Sequence, residues 1–206
     1  YSVDISGDYA IIGAVRDDSD RGAAYIFERN SSGNWVQQAK LTDSVREGGD
    51  NFGTSVAIDG EYAIVGADRD PAGSASETGS AYIFEKPIGG WSDMTQTQKF
   101  TGSESDSLEY FGTSVGISGD YAVVGAYLDN YNGFQTGAAH VFERDNGTGN
   151  WTQVSLLTAE GNGKEGSEFG FSVAISGSFA LIGAPDTESY TDDDYGLAYL
   201  FERIGP

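Results

Sequence analysis

The chain has 206 residues, with 30 glycines, 13% aromatic residues and 38% hydrophobic residues overall. Regularly spaced aromatic and β-branched residues exclude disorder, and length allows one sizeable core. Eleven Lys and Arg against 32 Asp and Glu give a net charge of −21, which repels phosphate backbones and anionic lipid surfaces, so no nucleic-acid partner is expected. There is no cysteine, and no apolar run long enough to insert in a membrane as a helix.

The first predicted strand is Ser-Val-x-Ile ending in a Gly turn, beginning at Ser2 and recurring at Ser55, Ser114 and Ser172. The second follows directly: Tyr9-Ala-Ile-Ile-Gly-Ala14, Tyr62 to Ala67, Tyr121 to Ala126 and Phe179 to Ala184. The third is Gly-x-Ala-x-x-Phe-Glu, at Gly22 to Glu28, Gly79 to Glu85, Gly137 to Glu143 and Gly196 to Glu202. Three copies add a fourth run that opens on tryptophan: Trp35 to Leu41, Trp91 to Phe100 and Trp151 to Leu157. Runs of four to eight apolar residues bounded by Gly, Asp, Asn and Ser read as strands, and no helix is predicted.

Four short antiparallel strands in a unit of roughly 50 residues are the signature of a β-propeller blade. The expected fold is therefore all-β, a β-propeller or propeller segment of four-stranded antiparallel blades. Approximate repeats run 1–51, 52–110, 111–168 and 169–206, the last without a fourth strand. The Gly-Ala that ends each second strand predicts close backbone approach between blades.

Phe-Gly precedes three of the repeats, at Phe52-Gly53, Phe111-Gly112 and Phe169-Gly170. Together with the Gly-Ala segments and the Gly-x-Ala-Tyr-Ile-Phe strand, it resembles the FG-GAP repeat of integrin α-chain propellers and many bacterial surface proteins. The resemblance implies an interlocked propeller and an extracellular, adhesive, secreted or cell-surface role. It does not carry over the family's calcium loop, because turns such as Asp59-Gly60-Glu61 are too short to supply six to eight oxygens. Family propellers usually have seven blades, so the expectation is a fragment, a ring of four, or association between chains.

In up-and-down blades, the second-to-third and fourth-to-first connections share one face, and that face receives most of the acids. Asp17, Asp18 and Asp20, and the contiguous Asp192, Asp193 and Asp194, are the candidate metal ligands. Carboxylates suit Ca²⁺, but solvated acidic loops are the commoner meaning of such clusters. Tyr127, Asp129, Tyr131, Phe134, Tyr190 and Tyr195 are the candidate ligand-binding residues, since rings beside acids stack on sugars or anchor protein interfaces. The other reading of these rings is that they fold back on their own blade.

No catalytic residue is identified and no cofactor is required. The single histidine, His140, stands where other repeats have Tyr25, Tyr82 and Tyr199, which marks a strand position. Trp35, Trp91 and Trp151 share one position and read as packing, while Lys40 and Lys99 read as outer-strand surface residues. The expected function is a non-catalytic binding module that takes a glycan or an extracellular protein through the acidic loop face. The alternatives are a subunit that self-assembles as a homo-oligomer or filament through incomplete blades, and a carboxylate-based polysaccharide-degrading enzyme.

Overall fold

The repeated segments fold into four antiparallel sheets in the computed structural model, which describes residues 1–45, 48–71, 78–102, 108–131, 133–159, 166–185 and 196–203. The first blade holds β1 (Val3–Ser6), β2 (Tyr9–Ala14), β3 (Ala23–Arg29) and β4 (Trp35–Thr42). The second holds β5 (Ser55–Asp59), β6 (Tyr62–Ala67), β7 (Ser80–Glu85) and, beyond the short β8 (Met94–Thr95), β9 (Gln98–Thr101). The third holds β10 (Phe111–Ser118), β11 (Tyr121–Ala126), β12 (Ala138–Arg144) and β13 (Trp151–Leu157). The fourth holds β14 (Ser172–Ser176), β15 (Phe179–Ala184) and β16 (Leu197–Glu202).

Within each blade the first two strands meet in a two-residue turn, pairing Ser6 with Tyr9, Asp59 with Tyr62, Ser118 with Tyr121 and Ser176 with Phe179. The turn needs a left-handed residue, and Gly60 supplies it at φ 58°. Side chains alternate between two buried faces, which explains why the middle strands are apolar throughout. In β6, Ile64 looks towards the third blade and Val65 towards the first, and both are fully buried.

The core accordingly lies between blades. Ile11, Ile26 and Leu41 pack on Val56, Val65 and Phe84; Ile64, Ile83 and Phe100 pack on Val115, Val124 and Phe142. Val123 and Val141 pack on Val173, Ile182 and Phe201. Burying a side chain of this size contributes about 2 kcal/mol.

The Phe-Gly and Gly-Ala motifs interlock as the sequence predicts. Phe111 packs edge-on against His140 and Phe142 of its own blade, while its backbone bridges to Gly79 of the blade before. Phe169 does the same with Tyr199, Phe201 and Gly137.

Two elements differ from expectation. The run Trp91 to Phe100 is not one strand. Its Met94–Thr95 piece leaves the second blade and pairs in parallel with Leu41 and Thr42, giving the first sheet a fifth strand. This run is longer than its counterparts at Trp35 and Trp151, and the surplus bends onto the neighbouring blade, where the Asp93 carboxylate accepts a 2.8 Å hydrogen bond from the Lys40 N–H. Asp17–Asp20 forms one helical turn, the only helical element among the described residues, and Asp18 and Ser19 within it have left-handed φ of 51° and 61°.

Candidate functional site

The second-to-third and fourth-to-first connections meet on one face and are tied together by backbone hydrogen bonds. Gly49 N–H donates to Asp20, Arg69 N–H to Asp50, and Gly166 N–H to Phe134. Asn51 adds a side-chain bond of 2.9 Å to Asp68. Loops held this way are variable in sequence yet fixed in place, as a binding surface on a rigid scaffold requires.

In the first three blades the second-to-third loop is anchored by an aspartate three residues after the alanine that closes the second strand: Asp17, Asp70 and Asp129. In the first blade Asp17 accepts a 2.8 Å hydrogen bond from Tyr25 and pairs with Lys40. In the second, Asp70 accepts from Tyr82 and lies 2.8 Å from Lys99 Nζ. Tyr25 and Lys40 face each other across β3 and β4, and Tyr82 and Lys99 across β7 and β9. Both lysines also sit over their tyrosine rings, at 5.6 and 5.5 Å from the centroids. In the third blade the tyrosine is replaced by His140 and the lysine by Leu156. Buried Asp129 keeps a 3.5 Å approach to His140 Nε2 and accepts from the Tyr131 N–H at 2.7 Å.

Ionisation follows this arrangement. The hydrogen bond from Lys40 holds the Asp17 carboxyl below its ordinary value, and Asp17 in turn raises Lys40. Burial, reinforced by Asp70, pushes the Tyr82 phenol far above its usual range, so it stays protonated and donating. Lys40 and Lys99 are therefore loop anchors that still keep part of their surface in water, Lys99 as an exposed residue of the outer strand.

Among the described residues, the candidate metal ligands Asp17, Asp18 and Asp20 are not drawn together. Asp17 is committed to Tyr25 and Lys40, and Asp18 approaches Arg21 at 3.8 Å. Asp20 is exposed on the left-handed turn. Among the described residues, no group of three or more His, Asp or Glu side chains is arranged to hold a metal ion. Asp192, Asp193 and Asp194 lie outside the described residues, as do Tyr190 and Tyr195.

Of the remaining candidate ligand residues, Tyr127 is folded back. Its ring lies 5.4 Å from Tyr110 and 5.5 Å from Phe171, and burial raises its phenol. Asp129 is buried as a loop anchor. Tyr131 and Phe134 are exposed, by 59% and 63%, and are the two rings of this set open to a ligand.

The same face carries a cleft of ≈ 1040 Å³ where the first two blades meet. Arg16, Asp17, Asp20, Asn51, Asp68 and Arg69 are in its lining. It mixes acceptors and donors with the aromatic Tyr25. Arg16, Asn51, Asp68 and Arg69 were not singled out from the sequence. The available signal was the matched pair Arg16-Asp17 and Arg69-Asp70 at equal distance from the repeated Gly-Ala.

A search among curated proteins finds no match to the chain. The family model described as FG-GAP repeat matches residues 1–27, 35–84, 94–142 and 151–201. The second and fourth matches start at Trp35 and Trp151 and end on the third strand of the next blade, so each crosses a blade junction. The unit that the family repeats is thus the interlocked junction itself, and the chain belongs to the FG-GAP repeat family.

Proposed function

We propose that the protein is a non-catalytic binding module, acting outside the cell, whose loop face takes a glycan or a polar protein surface. FG-GAP repeats typically serve binding and adhesion and occur in extracellular proteins. No helix among the described residues is long and apolar enough to cross a membrane.

The observation that carries this reading is the cleft between the first two blades. Asp20 offers a carboxylate acceptor for hydroxyl hydrogens and Arg16 and Arg69 offer donors, beside the Asn51–Asp68 pair that is bonded to itself at 2.9 Å. Its size suits several sugar rings, or one side-chain cluster of a partner protein.

Screening the chain against immobilised glycans, and then against extracellular protein extracts, tests the reading. Binding that is lost in Arg16→Ala and Asp20→Asn supports it. So does binding that survives substitution of Ser32, which lies in the connection between β3 and β4. A bound ligand indifferent to the cleft substitutions, or no ligand in either screen, sinks it.

A further inference from the structure

Acids outnumber bases by 32 to 11 in this chain, so a base without an acidic partner is the exception. Among the described residues, most lysines and arginines have one. Arg29 meets Asp8, Lys99 meets Asp70 and Arg144 meets Asp120, while Arg203 meets the Tyr121 hydroxyl. Arg21, Lys40 and Lys86 meet carboxylates as well. Arg16 and Arg69 differ: among the described residues, neither guanidinium has an ion pair or a side-chain hydrogen bond. Both line the cleft between the first two blades, and both are exposed.

The two arginines hold one repeat position, the second residue after the alanine that closes the second strand. The fold therefore delivers them from adjacent blades to one cleft. In the second blade the Arg69 N–H donates to the Asp50 carbonyl at 3.2 Å, which fixes the backbone there. The Arg69 guanidinium stays free with that connection packed against it and with an aspartate on either side in sequence. Those acids are engaged elsewhere: Asp70 with Tyr82 and Lys99, and Asp68 with Asn51. Asp17 is held by Tyr25 and Lys40 in the same way. Asp20 is the lining acid whose carboxylate stands exposed on its turn.

We infer that the ligand is an anionic glycan, with its carboxylate or sulfate oxygens on Arg16 and Arg69 and a ring hydroxyl on Asp20. This rests on the cleft being the ligand site of the binding module. A guanidinium is a planar fork of donors that matches an oxyanion bidentately. The charge of −21 does not forbid the contact, because charges beyond about 8 Å are largely screened at physiological ionic strength. The groups of the cleft itself decide. Asp20 selects the kind of anion. A sugar ring carries neutral hydroxyls beside its charge, and one of them donates to Asp20. An acidic peptide brings only further carboxylates, which Asp20 and Asp68 repel.

Titration calorimetry on the 206-residue chain tests this with oligogalacturonate, its methyl ester, sulfated dextran, plain dextran and oligoglutamate. At least one acidic glycan is expected to bind, with its uncharged counterpart about tenfold weaker. Which acidic glycan binds tells a carboxylate from a sulfate ester. Oligoglutamate should bind more weakly than that glycan. Arg16→Gln and Arg69→Gln should each weaken the acidic glycan about tenfold, the loss of one charge-assisted contact. Arg21→Gln, outside the lining and paired with Asp18, should not. Circular dichroism checks that the variants fold. Equal binding of charged and neutral glycans, lost in Asp20→Asn but kept in the arginine variants, would leave the glycan reading standing and overturn the inference. Oligoglutamate that matched the acidic glycan would overturn it too. If no glycan binds, charged or neutral, the reading and the inference fall together.

Discussion

Gly66 and Gly112 approach so closely that a Cβ on Gly66 would stand 1.9 Å from the Gly112 carbonyl oxygen. Gly66 closes a second strand and Gly112 belongs to the Phe-Gly of the next blade, so this contact joins the two motifs that name the family. It recurs between Gly125 and Gly170, at 2.0 Å. Gly183, the same position in the fourth blade, would meet nothing nearer than Ser172 Cβ at 3.6 Å.

Gly66→Ala and Gly125→Ala are therefore expected to destabilise by about 3 kcal/mol or more, because the obstacle is backbone that cannot rotate away. Gly183→Ala should be neutral or slightly stabilising through loss of unfolded-chain entropy. Urea unfolding midpoints of the three variants check this. Equal losses at all three would show that the glycines matter for conformation and not for the junction.

The tryptophans make a similar internal contrast. Trp91 and Trp151 are about 5% and 4% exposed, wedged between blades, whereas Trp35 is 42% exposed. Trp91→Ala and Trp151→Ala are expected to cost about 3 kcal/mol each, the usual loss for emptying a buried aromatic site. Trp35→Ala should cost less than about 1 kcal/mol. Chemical unfolding read by circular dichroism, not by tryptophan fluorescence, gives all three on one scale.

The strands were legible because a motif written four times averages out local ambiguity. Tyr9-Ala-Ile-Ile-Gly-Ala14 alone suits a buried strand or a helix turn, but four copies with Gly at fixed offsets suit a blade. The division of loops between faces was legible too, since hairpin order alone dictates it, and the Gly49–Asp20 bond bears it out. What escaped was pairing across strands. Lys40 and Lys99 are surface residues as they read, but nothing local shows that the preceding loop returns an aspartate to each of them. For Tyr127 the sequence left ligand contact and folding back both open, because the partners that decide it, Tyr110 and Phe171, come from other connections. The bend that carries Met94–Thr95 onto the first blade was hidden for the same reason.

The third blade offers a test of the loop anchor by restoration. His140 is fully buried, and neither ring nitrogen has a hydrogen-bond partner, only the 3.5 Å approach to Asp129. Replacing His140 by Tyr and Leu156 by Lys writes the arrangement of the second blade into the third. The double variant is expected to gain about 1 kcal/mol, the net value of a typical intramolecular hydrogen bond. His140→Phe, which fills the volume without a donor, should not gain. A thermal melt that ranks the phenylalanine variant level with the double variant would assign the effect to packing alone.

The first-blade anchor sets a pH dependence whose sign is fixed by its shifts. Asp17 is held below 3.8, its ordinary value, by Lys40, so its contribution to stability is present above that value and is lost as pH falls through the lower folded one. Lys40 is raised above 10.5, so its contribution is present below that value and is lost as pH rises through the higher folded one. Between these limits the pair contributes about 1 kcal/mol, modest because both side chains keep about a quarter of their surface in water. Acidification also relieves the repulsion among the other carboxylates, which masks the loss in the wild type alone. The difference between wild type and Asp17→Asn removes that background. It is expected to be constant from about pH 5 to pH 9 and to shrink below about pH 4. A difference that stayed constant down to about pH 2 would mean that Asp17 acts through its hydrogen-bonding shape and not through its charge.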